Sequence, residues 1–191
     1  MSDYYCQNPQ SYHEKTYHVD PSPFLKPFVV RLPSACKILD VGCASGRDLL
    51  WLKEREFSVR GFERSPGLVK LARKNTGCNI IQGDFEAFDF EKLSVDAILL
   101  IGALVHVPHK SFPRILSRIM RALKKEGLML LSLKEGRDKR SDSSGRTFYL
   151  WKHENLQKTL SDSGLRILDF FRQASSMGTD EIWLTYILEK V

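Results

Sequence analysis

The stretch ILDVGCASGRD, residues 38–48, decides the fold. Its first half is a short apolar run typical of a buried strand, and its second half is a turn of small residues from Gly42 to Gly46. Small residues let the backbone approach a bound ligand closely. In parallel α/β sheets, ligands bind beyond the carboxyl ends of the strands, at such strand-to-helix turns. The stretch therefore predicts a ligand-binding turn after the first strand.

Strands and helices alternate on either side of this turn. The pattern predicts strands over residues 37–41, 58–63, 79–84, 95–103, 128–134, 165–171 and 181–189, and helices over 21–32, 46–56, 65–74, 110–127 and 153–164. Alternation through residue 134 predicts a parallel sheet with helices on both faces. The last two strands follow each other without a helix and can form a hairpin. The predicted fold is α/β, doubly wound and mostly parallel, with seven strands and an antiparallel last strand.

Length and composition indicate a single globular domain. The chain has 191 residues, of which 42% are hydrophobic and 27% charged, and this length suffices for one substantial core. No linker or repeat interrupts the pattern, so we expect one domain over residues 1–191. Residues 1–20 are polar and rich in tyrosine, and we expect them to form a lid-like segment within that domain.

Several functional classes are not favoured by the sequence. No apolar run approaches the ~20 residues of a membrane helix, and the first residues lack the features of a secretory signal, so we expect a cytoplasmic protein without a membrane partner. The four cysteines show no CxxC spacing, which indicates neither a zinc site nor a disulfide framework. A net charge of +6 is mild and does not by itself favour a nucleic-acid partner.

Three acidic or glycine-rich positions at successive strand ends indicate a nucleoside ligand. The turn fails the G-x-G-x-x-G pattern of dinucleotide enzymes, because Ala44 and Arg47 replace its second and third glycines. Glu63 ends the second strand, where a carboxylate can accept both hydroxyls of a ribose. Asp84 ends the third strand and is followed by Phe85. The Asp84 carboxylate can accept a hydrogen bond from the amino group of a base, and the Phe85 ring can cover the face of that base.

These motifs resemble those of class I S-adenosylmethionine-dependent methyltransferases. The resemblance rests on ILDVGCASGRD, VRGFERSPGLVKLAR, IIQGDFEAFDF, ALVHVP and LKKEGLMLLSLKEG, and it extends over roughly residues 20 to 190. Within that superfamily, the chain is most similar to the small bacterial type 11, or tellurite-resistance-like, enzymes. The resemblance implies a Rossmann-like fold, S-adenosyl-L-methionine as cofactor and S-adenosyl-L-homocysteine as product.

The resemblance also implies which residues bind the cofactor. The turn residues and Arg47 would surround the methionine part of the cofactor. The residues at the ends of the second and third strands would surround its adenosine part, and Ile101 would lie beneath the sulfonium. The implied residues are Tyr17, Asp40, Gly42, Cys43, Ala44, Gly46, Arg47, Glu63, Arg64, Asp84, Phe85 and Ile101. Ala44 stands where the family usually has glycine, which is a change of one methyl group. No metal is implied.

The acceptor side is expected to come from the N-terminal segment and from two later segments. Tyr12 and Tyr17 could close over the site or merely pack on the domain. His106 follows the fourth strand and is either a general base or a structural histidine held by backbone groups. The segment 134–147 is either a solvated surface loop or a basic lid for an anionic acceptor. Its basic residues are Lys134, Arg137, Lys139, Arg140 and Arg146, and the aromatic residues Phe148, Tyr149 and Trp151 follow at the expected mouth of the site.

A methyltransferase acting on a small-molecule acceptor is the leading prediction, because the chain has no inserted domain to hold a larger acceptor. The substrate residues expected on this basis are Tyr12, Arg146 and Tyr149. A methyltransferase that acts on RNA or protein is the alternative enzyme, and a non-catalytic module that binds the cofactor is the alternative outside enzymes. A nucleotide-sugar or NAD enzyme is the least favoured option. We expect a monomer or a homodimer.

Overall fold

The computed structural model describes residues 4–191 and contains the predicted seven-stranded sheet, in the order β3-β2-β1-β4-β5-β9-β8. The nine strands are β1 Lys37–Val41, β2 Ser58–Glu63, β3 Asn79–Gln82, β4 Val95–Ile101, β5 Leu123–Lys134, β6 Lys139–Ser141, β7 Thr147–Tyr149, β8 Leu165–Ala174 and β9 Ile182–Lys190. Strands β1 to β5 pair in parallel. Strand β9 runs antiparallel to both β5 and β8. The predicted fold class is thus confirmed.

Seven α-helices connect or flank these strands among the described residues. They are α1 Tyr4–Gln7, α2 Pro9–Thr16, α3 Ser22–Val29, α4 Arg47–Lys53, α5 Pro66–Thr76, α6 Phe112–Ile119 and α7 His153–Asp162. The Ser65 hydroxyl caps α5 by accepting a hydrogen bond from the Leu68 N–H, at the start of the helix predicted over residues 65–74. No helix in this part of the chain is long and apolar enough to cross a membrane.

The core lies on both faces of the sheet, because the central strands are buried on both sides. Successive residues of β4 point to opposite faces, so Ala97 and Leu99 pack with α3 and α4, while Ile98 and Leu100 pack with α6 and α7. All four side chains are fully buried. This rigid centre fixes the positions of the strand ends where the predicted ligand site lies.

The predicted helix over residues 110–127 is wrong in its last five residues. Helix α6 ends at Ile119, a short 3-10 turn follows over Met120–Ala122, and β5 begins at Leu123. Leu123 pairs with Val95, and the pairing register then shifts, so residues 124–127 bulge out of the ladder. Glu126 adopts a positive φ of 59°, which a helix does not allow.

The segment after β5 is also more ordered than a solvated loop. Strands β6 and β7 pair antiparallel as a separate two-stranded hairpin. The Tyr149 N–H donates to the Val105 carbonyl, so the hairpin is joined to the segment that follows β4. Lys139 and Arg140 therefore lie on a strand, and Arg146 directly precedes one.

Candidate functional site

The glycine turn is joined closely to the neighbouring strand. Gly42 and Cys43 both donate their N–H groups to the Phe62 carbonyl on β2, at 2.7 and 3.2 Å. Gly42 has a φ of 80°, and a Cβ there would lie 2.8 Å from the Cβ of Ala103. Glycine is therefore required at this position by both conformation and space. Ala44 also has a positive φ, 48°, in the place where the resembling family usually has glycine.

Glu63 joins the end of β2 to this turn through its carboxylate. Its Oε2 accepts from the Ala44 N–H at 3.0 Å, and its Oε1 accepts from the N–H groups of Arg64 and Ser65, both at 2.8 Å. Burial raises the pKa of Glu63, and the three backbone donors act in the opposite direction. The result is a buried carboxylate held in one orientation, with about one of its four lone-pair sites, on Oε2, still available.

Three charged side chains cluster beside the turn. Arg47 donates to both oxygens of Asp48, at 2.7 and 3.1 Å, and its guanidinium lies 5.4 Å from the centre of the Phe24 ring. Asp40 is buried at the end of β1, and its Oδ2 has no hydrogen-bond partner among the described residues. Burial, together with the charge of Asp48, raises the pKa of Asp40 well above its ordinary value.

Two cavities meet at the glycine turn. The smaller, of about 90 Å³, lies beside Glu63 and is lined by the apolar side chains of Phe62, Leu68 and Phe85. The larger, of about 350 Å³, extends from the turn to the ends of β5 and β9. Both cavities are lined by Gly42, Ala44, Tyr5, Tyr12, Ile101 and Gly102. One ligand could thus extend across the turn while a second occupies the far part of the larger cavity.

Helices α1 and α2 form one wall of both cavities. His13 of α2 lies 2.9 Å from the Ser45 hydroxyl, measured from its Nδ1. The Ser65 hydroxyl donates to the carbonyl of Tyr5 at 2.8 Å. Tyr12 lines both cavities, and burial raises its pKa. The N-terminal segment is therefore attached to the site at the glycine turn and at the start of α5.

His106 lines the smaller cavity and has hydrogen bonds at both ring nitrogens. Its Nδ1 is 2.6 Å from the Thr147 carbonyl, which can only accept, so Nδ1 carries the proton. Its Nε2 is then the acceptor for the Tyr5 hydroxyl at 2.8 Å. Burial lowers the pKa of His106, which favours the neutral ring.

Most of the predicted site residues line one of the two cavities. These are Tyr12, Gly42, Cys43, Ala44, Arg47, Glu63, Arg64, Phe85, Ile101, His106 and Arg146. Asp40 and Gly46 lie within the strand and turn without lining either cavity, and Gly46 begins α4 with a φ of 90°.

Three predicted site residues have other partners. The Tyr17 ring packs against His13, with 4.6 Å between ring centres. The Asp84 carboxylate accepts from the Glu86 N–H and so closes its own turn. Tyr149 packs beside His109, at 5.7 Å between ring centres. None of the three lines a cavity, and their proposed contacts with ligands stay predictions.

Some cavity residues were missed by sequence reasoning. Tyr5 lies in a polar segment that carries no motif, and Ser132 is one polar residue in an apolar strand. Trp183 and the connection between β8 and β9 reach the larger cavity only because β9 pairs with β5. The period-two pattern of β5 could have indicated Ser132 and Lys134 as neighbours on one face.

Comparison with known proteins agrees with this geometry. Residues 38–127 match the family described as "Methyltransferase domain". A putative methyltransferase of Encephalitozoon cuniculi is 27% identical over 175 residues, which cover 80% of this chain and 78% of the relative.

Solved structures of methyltransferases share the fold. One is the 1,6-didemethyltoxoflavin-N1-methyltransferase of Burkholderia thailandensis, solved with bound 1,6-didemethyltoxoflavin and S-adenosylhomocysteine. It superposes with a TM-score of 0.78 at 18% identity, and the superposition covers 98% of this chain and 84% of the Burkholderia chain. A TehB-like S-adenosylmethionine-dependent methyltransferase of Corynebacterium glutamicum superposes with a TM-score of 0.74 at 18% identity, over 97% and 99% of the two chains. The Rossmann-like fold implied by the resemblance to class I methyltransferases is thus confirmed.

Proposed function

We propose that this chain, which has the fold of class I methyltransferases and matches a methyltransferase family over residues 38–127, transfers a methyl group from S-adenosyl-L-methionine to a small-molecule acceptor. The observation that carries the proposal is the Glu63 carboxylate, which is fixed by three backbone donors between the glycine turn and the smaller cavity. We further propose that residues 1–191 act as one domain, with the N-terminal segment as a wall of the site.

The residues around the smaller cavity fit the adenosine part of the cofactor. Glu63 has one lone-pair site left, on Oε2, which can accept from one ribose hydroxyl. Phe85 and Leu68 supply apolar surface for a base, and Arg64 lies beside them. The Asp84 carboxylate already closes its own turn, so Phe85 is the better supported base contact.

The residues around the glycine turn fit the amino-acid part of the cofactor. Gly42 lies too close to Ala103 to carry a side chain, which keeps the backbone accessible. Arg47 can pair with a carboxylate, because a guanidinium presents five donors, of which Asp48 accepts two and the Thr16 carbonyl accepts one at 3.5 Å. Asp40 is buried at the end of β1 and lines neither cavity, so its contact with the cofactor stays a prediction.

When bound, the cofactor supplies a methyl group that is already activated by a positively charged sulfur. The chain must then align the acceptor and exclude water. Ile101 and Gly102 lie where the two cavities join, and Tyr5 and Tyr12 cover the same place from the N-terminal side. Burial lowers the pKa of His106 and so favours the neutral ring, whose Nε2 can take a proton from an acceptor that displaces the Tyr5 hydroxyl.

The size of the larger cavity supports a small acceptor. Its 350 Å³ lies within the range of small-molecule sites. The Burkholderia neighbour acts on 1,6-didemethyltoxoflavin, which is itself a small molecule. An RNA or protein acceptor would need a site open enough to admit a chain segment, whereas α1 and α2 are attached across this one.

A labelling experiment tests the proposed acceptor class. The protein is incubated with methyl-tritiated S-adenosylmethionine and a cell extract separated by ultrafiltration into small molecules and macromolecules. We expect label to appear in the small-molecule filtrate and to be lost with the Glu63→Gln variant. Label that appears only in RNA or protein would contradict the proposal, and so would tight cofactor binding without transfer to either fraction.

A further inference from the structure

Lys134 ends β5 as a buried ammonium at the far side of the larger cavity. Its side chain is 9% exposed, and its Nζ lies 3.8 Å from the centre of the Phe148 ring and 5.4 Å from that of Trp183. Burying a charge is costly unless it is paired, and aromatic faces compensate only part of that cost. The side chain lines the cavity, so this charge is directed at whatever binds there.

The carboxylate beside Lys134 does not neutralise the region by itself. Glu181 accepts from Lys134 Nζ at 2.6 Å and from Arg140 at 2.5 Å through the same Oε1. Two cations thus share one carboxylate. An ammonium has three donors, of which Glu181 accepts one. Lys134, Arg140 and Glu181 together leave one net positive charge on the cavity wall. Burial lowers the pKa of Lys134, and the hydrogen bond to Glu181 opposes that change.

Arg146 is less available than the sequence suggests. Its guanidinium pairs with Asp142 at 2.7 Å, in the hairpin of β6 and β7, and it lies over the Tyr4 ring. Its single positive charge is therefore already matched by Asp142 within the hairpin. Lys134 is the most buried of Lys134, Arg140 and Arg146, with a side chain 9% exposed against 56% and 23%.

Ser132 adds a neutral donor on the same face. Residues two apart on a strand share a face, so Ser132 and Lys134 both point into the cavity that they line. The Ser132 Oγ accepts from the Gly102 N–H at 3.2 Å, which leaves its own proton to be donated elsewhere. Gly102 lies at the junction of the two cavities, so Ser132 stands between that junction and Lys134.

We propose that Lys134, assisted by Ser132, binds the carboxylate of an aromatic organic acid, and that such acids are the acceptor class of this site. This inference rests on the proposed methyltransferase function, because it assigns the far part of the larger cavity to the acceptor. The rings of Phe148 and Trp183 border the ammonium and supply the flat apolar surface that an aromatic acid needs.

Matched acid and amide pairs test the assignment. The protein is saturated with S-adenosylhomocysteine and titrated calorimetrically with benzoate and benzamide, 4-hydroxybenzoate and its amide, and indole-3-acetate and its amide. We expect the acid of at least one pair to bind about tenfold or more tightly than its amide, which corresponds to about 1.4 kcal/mol. We expect Lys134→Met to abolish that preference and Lys134→Arg to retain part of it.

Lys139→Gln is the matched control, because Lys139 lies on β6 with an exposed side chain and does not line the larger cavity. It should keep the preference. Ser132→Ala is a smaller change than Lys134→Met and should weaken the binding of the acid but not of the amide. The affinity of every variant for S-adenosylhomocysteine, measured first, should stay within about twofold of wild type.

The outcomes separate the two proposals. If wild-type protein does not bind S-adenosylhomocysteine, both the methyltransferase function and the acceptor assignment fail. If it binds but no acid is preferred over its amide, or the preference survives Lys134→Met, only the carboxylate assignment is overturned. Displacement of the acids by an equal concentration of inorganic phosphate would also overturn it, since the site would then select phosphate.

Discussion

Asp40 is a carboxylic acid whose Oδ2 has no partner among the described residues, at the end of a buried strand. Burial raises its folded-state pKa well above the ordinary value of 3.8, and the nearby Asp48 adds to the shift. The folded protein therefore holds this proton more tightly than the unfolded chain does. The stability associated with it is fully present below about pH 4 and is lost as the pH rises through the folded pKa.

We predict that Asp40→Asn reduces the loss of stability between pH 4 and 7. The free energy of unfolding of the variant, measured by urea titration, should rise relative to wild type by at most about 1.4 kcal/mol per pH unit, the limit for one proton. Glu63 contributes in the same direction and remains in both proteins. A difference between variant and wild type that is constant with pH would contradict the assignment of the raised pKa to Asp40.

At the scale of elements, α2 rests directly on α5. Gly67 of α5 has ordinary helical geometry, yet a Cβ there would lie 2.5 Å from Cγ and 2.7 Å from Cβ of Pro9. Alanine favours a helix over glycine by about 1 kcal/mol, so the close approach of α2 is what disfavours a side chain at Gly67. The contact joins the N-terminal segment to the body of the domain.

We predict that Gly67→Ala loosens α1 and α2 without unfolding α5. Amide hydrogen exchange should become roughly tenfold or more faster over residues 4–16, because these helices must move by a few tenths of an ångström or more. Exchange within α5 should be unchanged or slower. Lys70→Ala, an exposed change three residues later on the same helix, is the control and should leave the N-terminal exchange as in wild type. Equal exchange in both variants would contradict the role of this contact.

The elements also show how far local sequence patterns reach. The glycine turn and the cap at Ser65 could be predicted because each depends on residues close in sequence. The start of β5 at Leu123 could not, since it depends on pairing with Val95, 28 residues earlier. The environment of Lys134 depends likewise on Trp183 of β9, with which it pairs across the sheet. Local periodicity carries no information about such partners.

At the scale of the whole molecule, the sheet connects both core layers. Trp51 packs in the layer beside α3 and α4, while Trp151 belongs to the layer beside α6 and α7. A single domain should lose both layers together. The predicted lid-like segment is attached to the same body through Ser45 and Ser65.

We predict one cooperative unfolding transition. Far-ultraviolet circular dichroism and tryptophan fluorescence should give the same midpoint in urea, and S-adenosylhomocysteine at about 100 times its Kd should stabilise the fold by about 2.7 kcal/mol. Two separated transitions would contradict the assignment of residues 1–191 to one domain. A ligand effect seen with only one of the two probes would contradict it as well.

The central claim is that Glu63 and the glycine turn bind S-adenosylmethionine and its product. The most direct measurement is calorimetric titration of the wild-type protein with S-adenosylhomocysteine, beside Glu63→Gln, the exposed control Glu54→Ala, and NAD as a control ligand. We predict that wild type and Glu54→Ala bind S-adenosylhomocysteine and that none of the proteins binds NAD. The affinity of Glu63→Gln for S-adenosylhomocysteine should be roughly ten- to a hundredfold lower, because the variant lacks a charged acceptor. Binding of NAD instead, or equal affinity of wild type and Glu63→Gln for S-adenosylhomocysteine, would contradict the account.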